Sequence, residues 1–128
     1  MLTVAPVYIG AIAILMALLA GRTSFLRNTY DAPLGDGGAA ALFLAQRRFG
    51  NLSEYAAVAL LILVALELTG TDPFWLHIYG GSFLIFRLVH PFMLFDSNDA
   101  PLWQKAGRFV CSMGTSILLV TGGVALML

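Results

Sequence analysis

Three short stretches of this sequence carry side chains able to do chemistry. Arg47, Asn51 and Glu54 recur at positions i, i+4 and i+7, so on a helix they project from one face. A second stretch places Arg87 three residues before His90, with Pro91 directly after it. Pro91 has no N–H, so the carbonyl of Arg87 loses its usual helical partner and a kink is expected there. Arg108 is the third. Guanidinium groups dominate this set and Glu54 is its one carboxylate, which suits holding an anion better than metal chemistry. The two histidines, His77 and His90, lie far apart and Cys111 is the single cysteine, so no zinc site is expected and no internal disulfide can form.

The elements that position these groups follow from composition. The chain has 128 residues, 59% hydrophobic and 11% charged, with a mean hydropathy of +0.87. Soluble domains carry about 25% charged residues, so lipid must be the solvent for much of this surface. The net charge is zero, which leaves no electrostatic footprint for nucleic acid. About 20 apolar residues cross the hydrocarbon as a helix. Four segments meet that need: about 4–26, 47–68, 74–95 and 106–128. The first lacks a basic leader and is followed by three more, so it reads as a transmembrane helix rather than a signal peptide. The expected fold is all-α, one integral membrane four-helix up-down bundle over 1–128.

Turn chemistry separates the segments. Asp31, Pro33, Gly35, Asp36 and two further glycines follow the first, although the second helix can begin within Ala39–Gln46. Thr69–Pro73 is a tight polar turn, and the run from Asp96 to Pro101 offers acidic and Asn side chains for capping the fourth helix. Trp75, Tyr79 and Trp103 fall where aromatic belts form, and His77 reads as interfacial. Ser112, Gly114, Ser116, Gly122 and Gly123 read as close-approach positions between helices.

On an up-down bundle Arg22, Arg27, Arg47, Arg48, Arg87, Lys105 and Arg108 all fall toward one end, while Glu67 and Asp72 mark the other. The positive-inside rule puts the loops between helices 1 and 2 and between helices 3 and 4 in the cytoplasm, with both termini outside. The uncharged stretch Tyr55–Leu66 is too short to cross a bilayer, so Asn51 and Glu54 must enter the membrane. Glu54 lies roughly 10 Å beyond Arg47, and Arg87 roughly 12 Å from its helix end, at about the same depth. A charge facing lipid costs at least about 2.5–3.5 kcal/mol, so these groups are expected to turn inward and find partners. Interfacial anchoring of Arg47, Arg48 and Arg108, helix packing through Asn51 and one Glu54–Arg87 ion pair form the purely structural account. Against it stands the surplus of arginine over carboxylate at that depth, which calls for an anion.

The run Arg47-Arg48-Phe49-Gly50-Asn51-Leu52-Ser53-Glu54-Tyr55 resembles the helix 2 signature of the MAPEG family, the membrane-associated proteins in eicosanoid and glutathione metabolism. Leu34-Gly35-Asp36-Gly37-Gly38 resembles the loop of its small bacterial members. Arg87-Leu88-Val89-His90 is similar to their helix 3 Arg-x-x-His, and Arg108 stands where an arginine opens their fourth helix. The resemblance covers nearly the whole chain. It implies a homotrimer in the bacterial inner membrane, with glutathione held between subunits by Arg47, Asn51, Glu54, Arg87 and His90. Arg27, or Arg22 in its place, would reach in from a neighbouring helix 1. It also implies that Arg108 is catalytic, holding the thiol as thiolate, the nucleophilic form, while a lipophilic small molecule arrives through the membrane lipid.

The family tyrosine seven residues after the helix 3 arginine is Leu94 here, and the serine after the helix 4 arginine is Phe109. The resemblance implies a membrane-bound glutathione transferase or peroxidase acting on lipophilic electrophiles; these two departures weigh against its catalytic part and give the alternative, a noncatalytic lipid- or anion-binding protein. A small multidrug transporter also has four helices, but needs a carboxylate within its first, and Met1–Gly21 contains none.

Overall fold

The structure, a computed structural model, describes residues 1–95 and 99–128. Its elements are α1 (Ala5–Thr29), α2 (Ala40–Leu68), α3 (Pro73–Met93) and α4 (Leu102–Met127). The chain is all-α, a helical membrane bundle of the kind expected. Lengths of 25, 29 and 26 residues make α1, α2 and α4 long and apolar enough to cross a membrane on length and composition alone. Helix α3 falls short of that measure because it carries His77, Arg87, His90 and two prolines. Its 21 residues still extend about 31 Å, and it packs against each of the other three.

Packing is sequential and antiparallel: α1 lies on α2, α3 on α4, and α2 touches all three of its companions, whereas α1 and α4 do not meet. Three apolar clusters stack along the bundle. The end remote from the arginines joins Val4 and Ala5 to Leu63, Leu66, Leu76 and Tyr79. The middle is built on Ile12, Leu52, Ala56, Ala59 and Phe83. At the basic end Leu26 and Ala32 close on Leu42 and Ala45.

Helix ends are set by local chemistry. Thr71 N–H donates to Leu66 O at 3.1 Å and Gly70 N–H to Glu67 O at 3.2 Å. This is a Schellman stop, and Gly70 supplies its left-handed residue at φ 85°. Asp72 then caps α3, accepting from Phe74 N–H at 2.8 Å, with Pro73 in the first turn. Helix α2 starts at Ala40 rather than 47, because Ala40–Gln46 contains no helix breaker. Helix α4 starts at Leu102 rather than 106, with Pro101 at the cap position. Proline has no side-chain acceptor, so the cap position makes no side-chain hydrogen bond; of the acidic and Asn residues expected to cap α4 from the 96–101 run, Asp96 and Asn98 lie outside the described residues.

One interfacial assignment changes, and so do three of the close-approach positions. Trp75 and Trp103 are exposed as a belt requires, but Tyr79 is only 7% exposed and belongs to the core. Gly114 and Gly122 do sit against neighbours, Phe86 in one case and Ile62 with Tyr79 in the other, whereas Gly123 faces open space and Ser112 and Ser116 are exposed. Helix α4 buries 111, 115 and 122 and packs Leu118 and Leu119 against the core, while Ser112 and Ser116 stand on its outer face. His77 is exposed, with its Nδ1 at 2.9 Å from the Tyr8 hydroxyl, tying α3 to α1.

Candidate functional site

Helix α2 buries Leu52, Ala56, Ala59 and Leu63 along one face. That choice dictates the fate of the Arg–Asn–Glu triplet. Glu54 lies about 200° round the helix from Leu52, so it points away from the other three helices. Arg47 and Glu54 are accordingly both about half exposed, their charged atoms 4.0 Å apart. The inward orientation expected for these two residues does not occur within one chain. Asn51 donates to its own helix, Nδ2 to Arg47 O at 2.8 Å.

Arg87 behaves in the opposite way. It is 2% exposed, the largest fully buried side chain among the described residues, and His90 one turn later is 3% exposed. Its Nη2 donates to the Cys111 carbonyl at 3.1 Å and to the Thr115 hydroxyl at 2.5 Å. The guanidinium carbon sits 5.3 Å from the centre of the Tyr55 ring and 5.9 Å from that of Phe83. Aromatic faces of this kind stabilise a cation in place of water. Its Nε is buried without a partner, and among the described residues no carboxylate is in ion-pair contact with it. The Glu54–Arg87 ion pair of the purely structural account is therefore absent.

The remaining two predicted residues flank this cluster differently. Arg108 is exposed at the start of α4, its guanidinium carbon 5.4 Å from the Phe95 ring centre. His90 lies within electrostatic reach of both Arg87 and Arg108, so those three groups share one region of the basic end. Arg27 is committed to its own loop: Nη1 donates to Pro33 O at 2.7 Å and more weakly to Ala32 O at 3.4 Å. That loop is pinned from the other side by Gln46, whose Nε2 donates to Gly35 O at 2.5 Å.

The seven predicted residues thus fall into an interior group (Arg87, His90), an outward-facing α2 group (Arg47, Asn51, Glu54), Arg108 at the rim and Arg27 in the loop. Tyr55 links the first two, being adjacent to Glu54 in sequence and stacked on Arg87 in space. Residue-type reasoning missed Cys111 and Thr115 as supports for Arg87. Their spacing carried a signal, since Arg108, Cys111 and Thr115 stand at i, i+3 and i+7 and share one face of α4. The described residues contain no His, Cys, Asp or Glu group able to hold a metal.

Among the described residues, then, Arg87 is a desolvated guanidinium with one unpartnered N–H and no carboxylate in ion-pair contact.

The MAPEG family model matches residues 5–128. Two proteins named Inner membrane protein YecN, from Escherichia coli strains K12 and O6:H1, are each 38% identical over 82 residues. That stretch is 61% of this chain and 63% of theirs, so the match spans less than two thirds of these relatives. No solved structure matches the chain significantly. A family match reaching from the first turn of α1 to the end of α4, on a bundle that carries the Arg–Asn–Glu triplet and the buried Arg87, makes this chain a member of the MAPEG family.

Proposed function

We propose that the protein binds glutathione at the basic end of the bundle and joins its sulfur to lipophilic electrophiles as a thioether, or uses it to reduce lipid-soluble peroxides, two glutathiones being oxidised to the disulfide. The observation that carries this reading is Arg87: buried, aromatic-flanked and lacking an acid partner among the described residues. Glutathione carries two carboxylates and an ammonium. Arginines complement the first through paired charge-assisted hydrogen bonds, and Glu54 complements the second.

The outward Arg47–Glu54 pair bears on assembly. A charged pair on the membrane-embedded surface of a lone protomer is costly, and a neighbouring copy covering α2 removes that cost. The reading is therefore of a homotrimer in which Arg47, Asn51 and Glu54 of one chain approach the interior cluster of another, with Arg27 at the rim. Arg108, exposed beside this region, lowers the thiol pKa by its charge, and the thiolate attacks the electrophile. The inner membrane is the proposed location, in keeping with the relatives' names, with the basic end in the cytoplasm.

A noncatalytic binder is the second reading. Leu94 is buried and apolar where the family tyrosine would stand, and Phe109 is 64% exposed where the serine would stand. Calorimetric titration of the detergent-solubilised protein with glutathione decides between these possibilities and neither. Saturable heat that disappears in Arg87→Met supports the site. Heat without conjugation of any of a panel of apolar electrophiles selects the noncatalytic reading, and no heat from the wild type ends both.

A further inference from the structure

A basic cleft lies at the same end, where α1, α2 and α3 meet. Arg22 from α1 and Arg48 from α2 line a cavity of about 260 Å³ together with Leu18, Leu19, Pro91 and Phe92. Neither arginine has a carboxylate within 4.0 Å among the described residues. Arg48 is partly buried and its Nε has no partner. It also feels the charge of Arg22, so the two cations repel across the cleft. Such a pair is stabilised by a shared anion, and a guanidinium fork fits phosphate oxygens.

The rest of the cleft says which anion. Leu18 is 67% exposed and Phe92 71% exposed, so an apolar ledge runs from the arginines toward the surrounding lipid. Arg22 lies seven residues before the end of α1 and Arg48 eight residues after the start of α2, about 10–12 Å along each helix. The two guanidinium stems therefore leave antiparallel helices at one level. A basic pocket between transmembrane helices at the positively charged face is a headgroup site for anionic lipid.

We infer that Arg22 and Arg48 form a binding site for an anionic phospholipid, clamping the phosphodiester between them while an acyl chain lies over Leu18, Leu19 and Phe92. The site is separate from the Arg87 cluster, and it holds whether or not glutathione is the ligand there.

Native mass spectrometry of the whole protein released from nanodiscs of equal phosphatidylglycerol and phosphatidylcholine tests this. The wild type should retain phosphatidylglycerol in preference by roughly tenfold or more, on the order expected for two surface arginines. R22Q/R48Q should retain both lipids equally, while R22K/R48K keeps part of the preference. Equal retention by the wild type, or a preference that survives in R22Q/R48Q, overturns the site. If the glutamine pair fails to assemble, the wild type still decides. Phosphatidylglycerol with a photoactivatable acyl chain must crosslink to Leu18, Leu19 or Phe92, and crosslinks confined elsewhere overturn it. Inorganic phosphate, titrated into protein in pure phosphatidylcholine discs, separates the sources. Millimolar or weaker binding fits a lipid site, whereas tight binding without lipid preference replaces the lipid with a free phosphate.

Discussion

Arg87 Nη2 lies 2.5 Å from the hydroxyl of Thr115, and that hydroxyl in turn donates to the Cys111 carbonyl at 2.8 Å. One threonine thus accepts from the buried cation of α3 and anchors itself to its own helix. The same carbonyl accepts directly from Arg87, closing a three-membered network that fixes where the guanidinium sits. The orientation of Arg87 toward Tyr55 is set from behind, by α4.

Thr115→Val keeps the shape and removes the acceptor. A buried donor left unsatisfied costs about 1–3 kcal/mol, so the variant should unfold at a lower temperature in detergent and bind glutathione more weakly. Thr115→Ser should restore both. A valine variant with wild-type melting and affinity would show that Thr115 does not hold Arg87.

Arg108→Ala should separate binding from activation. Its guanidinium stacks near Phe95 at 5.4 Å and makes no ion pair among the described residues, so its loss should leave the fold intact. Ultraviolet difference spectra of bound glutathione should lose the thiolate band in this variant while calorimetric affinity changes little. An unchanged thiolate band removes Arg108 from the mechanism.

Glu67 caps a helix other than its own. Its carboxylate accepts from Val4 N–H at 2.8 Å, Ala5 N–H at 2.7 Å, the Thr3 hydroxyl at 3.1 Å and the Thr3 amide. The first amides of a helix have no internal partner, and negative charge there complements the dipole. Glu67→Ala should speed hydrogen exchange at residues 3–5 with the basic end unaffected, and Glu67→Gln should do so less. Exchange unchanged in the alanine variant would mean that α1 starts without this cap.

Two adjacent glycines should answer oppositely to the same substitution. A Cβ on Gly122 would stand 2.7 Å from both Ile62 Cγ2 and Tyr79 Cε2, an overpacking that costs about 1–3 kcal/mol. Gly123 has nothing within 4 Å, and alanine there should be neutral or stabilising by about 0.5–1 kcal/mol, the usual helical gain. Melting temperatures of the two alanine variants check this, and equal values would refute the packing assigned to Gly122.

Sequence alone determined the helix count, the all-α class, the turn before Pro73 and the gathering of basic residues at one end. These depend on local chemistry: apolar run length, capping residues and alternation of direction at each turn. It also marked Arg47, Asn51, Glu54, Arg87, His90 and Arg108 as groups needing an explanation. Tertiary structure alone decided which of them are buried. Helices α1 and α2 are apolar nearly all round, and lipid is as apolar as a protein core, so no hydrophobic stripe announces the inner face. Packing turned Arg87 inward onto Thr115 and Tyr55 and left Glu54 facing outward. It also drew Tyr79 into the core, set Glu67 on the start of α1 and brought Arg22 beside Arg48. Helical spacing relates residues within one helix; only the contact of one helix with another relates residues across them.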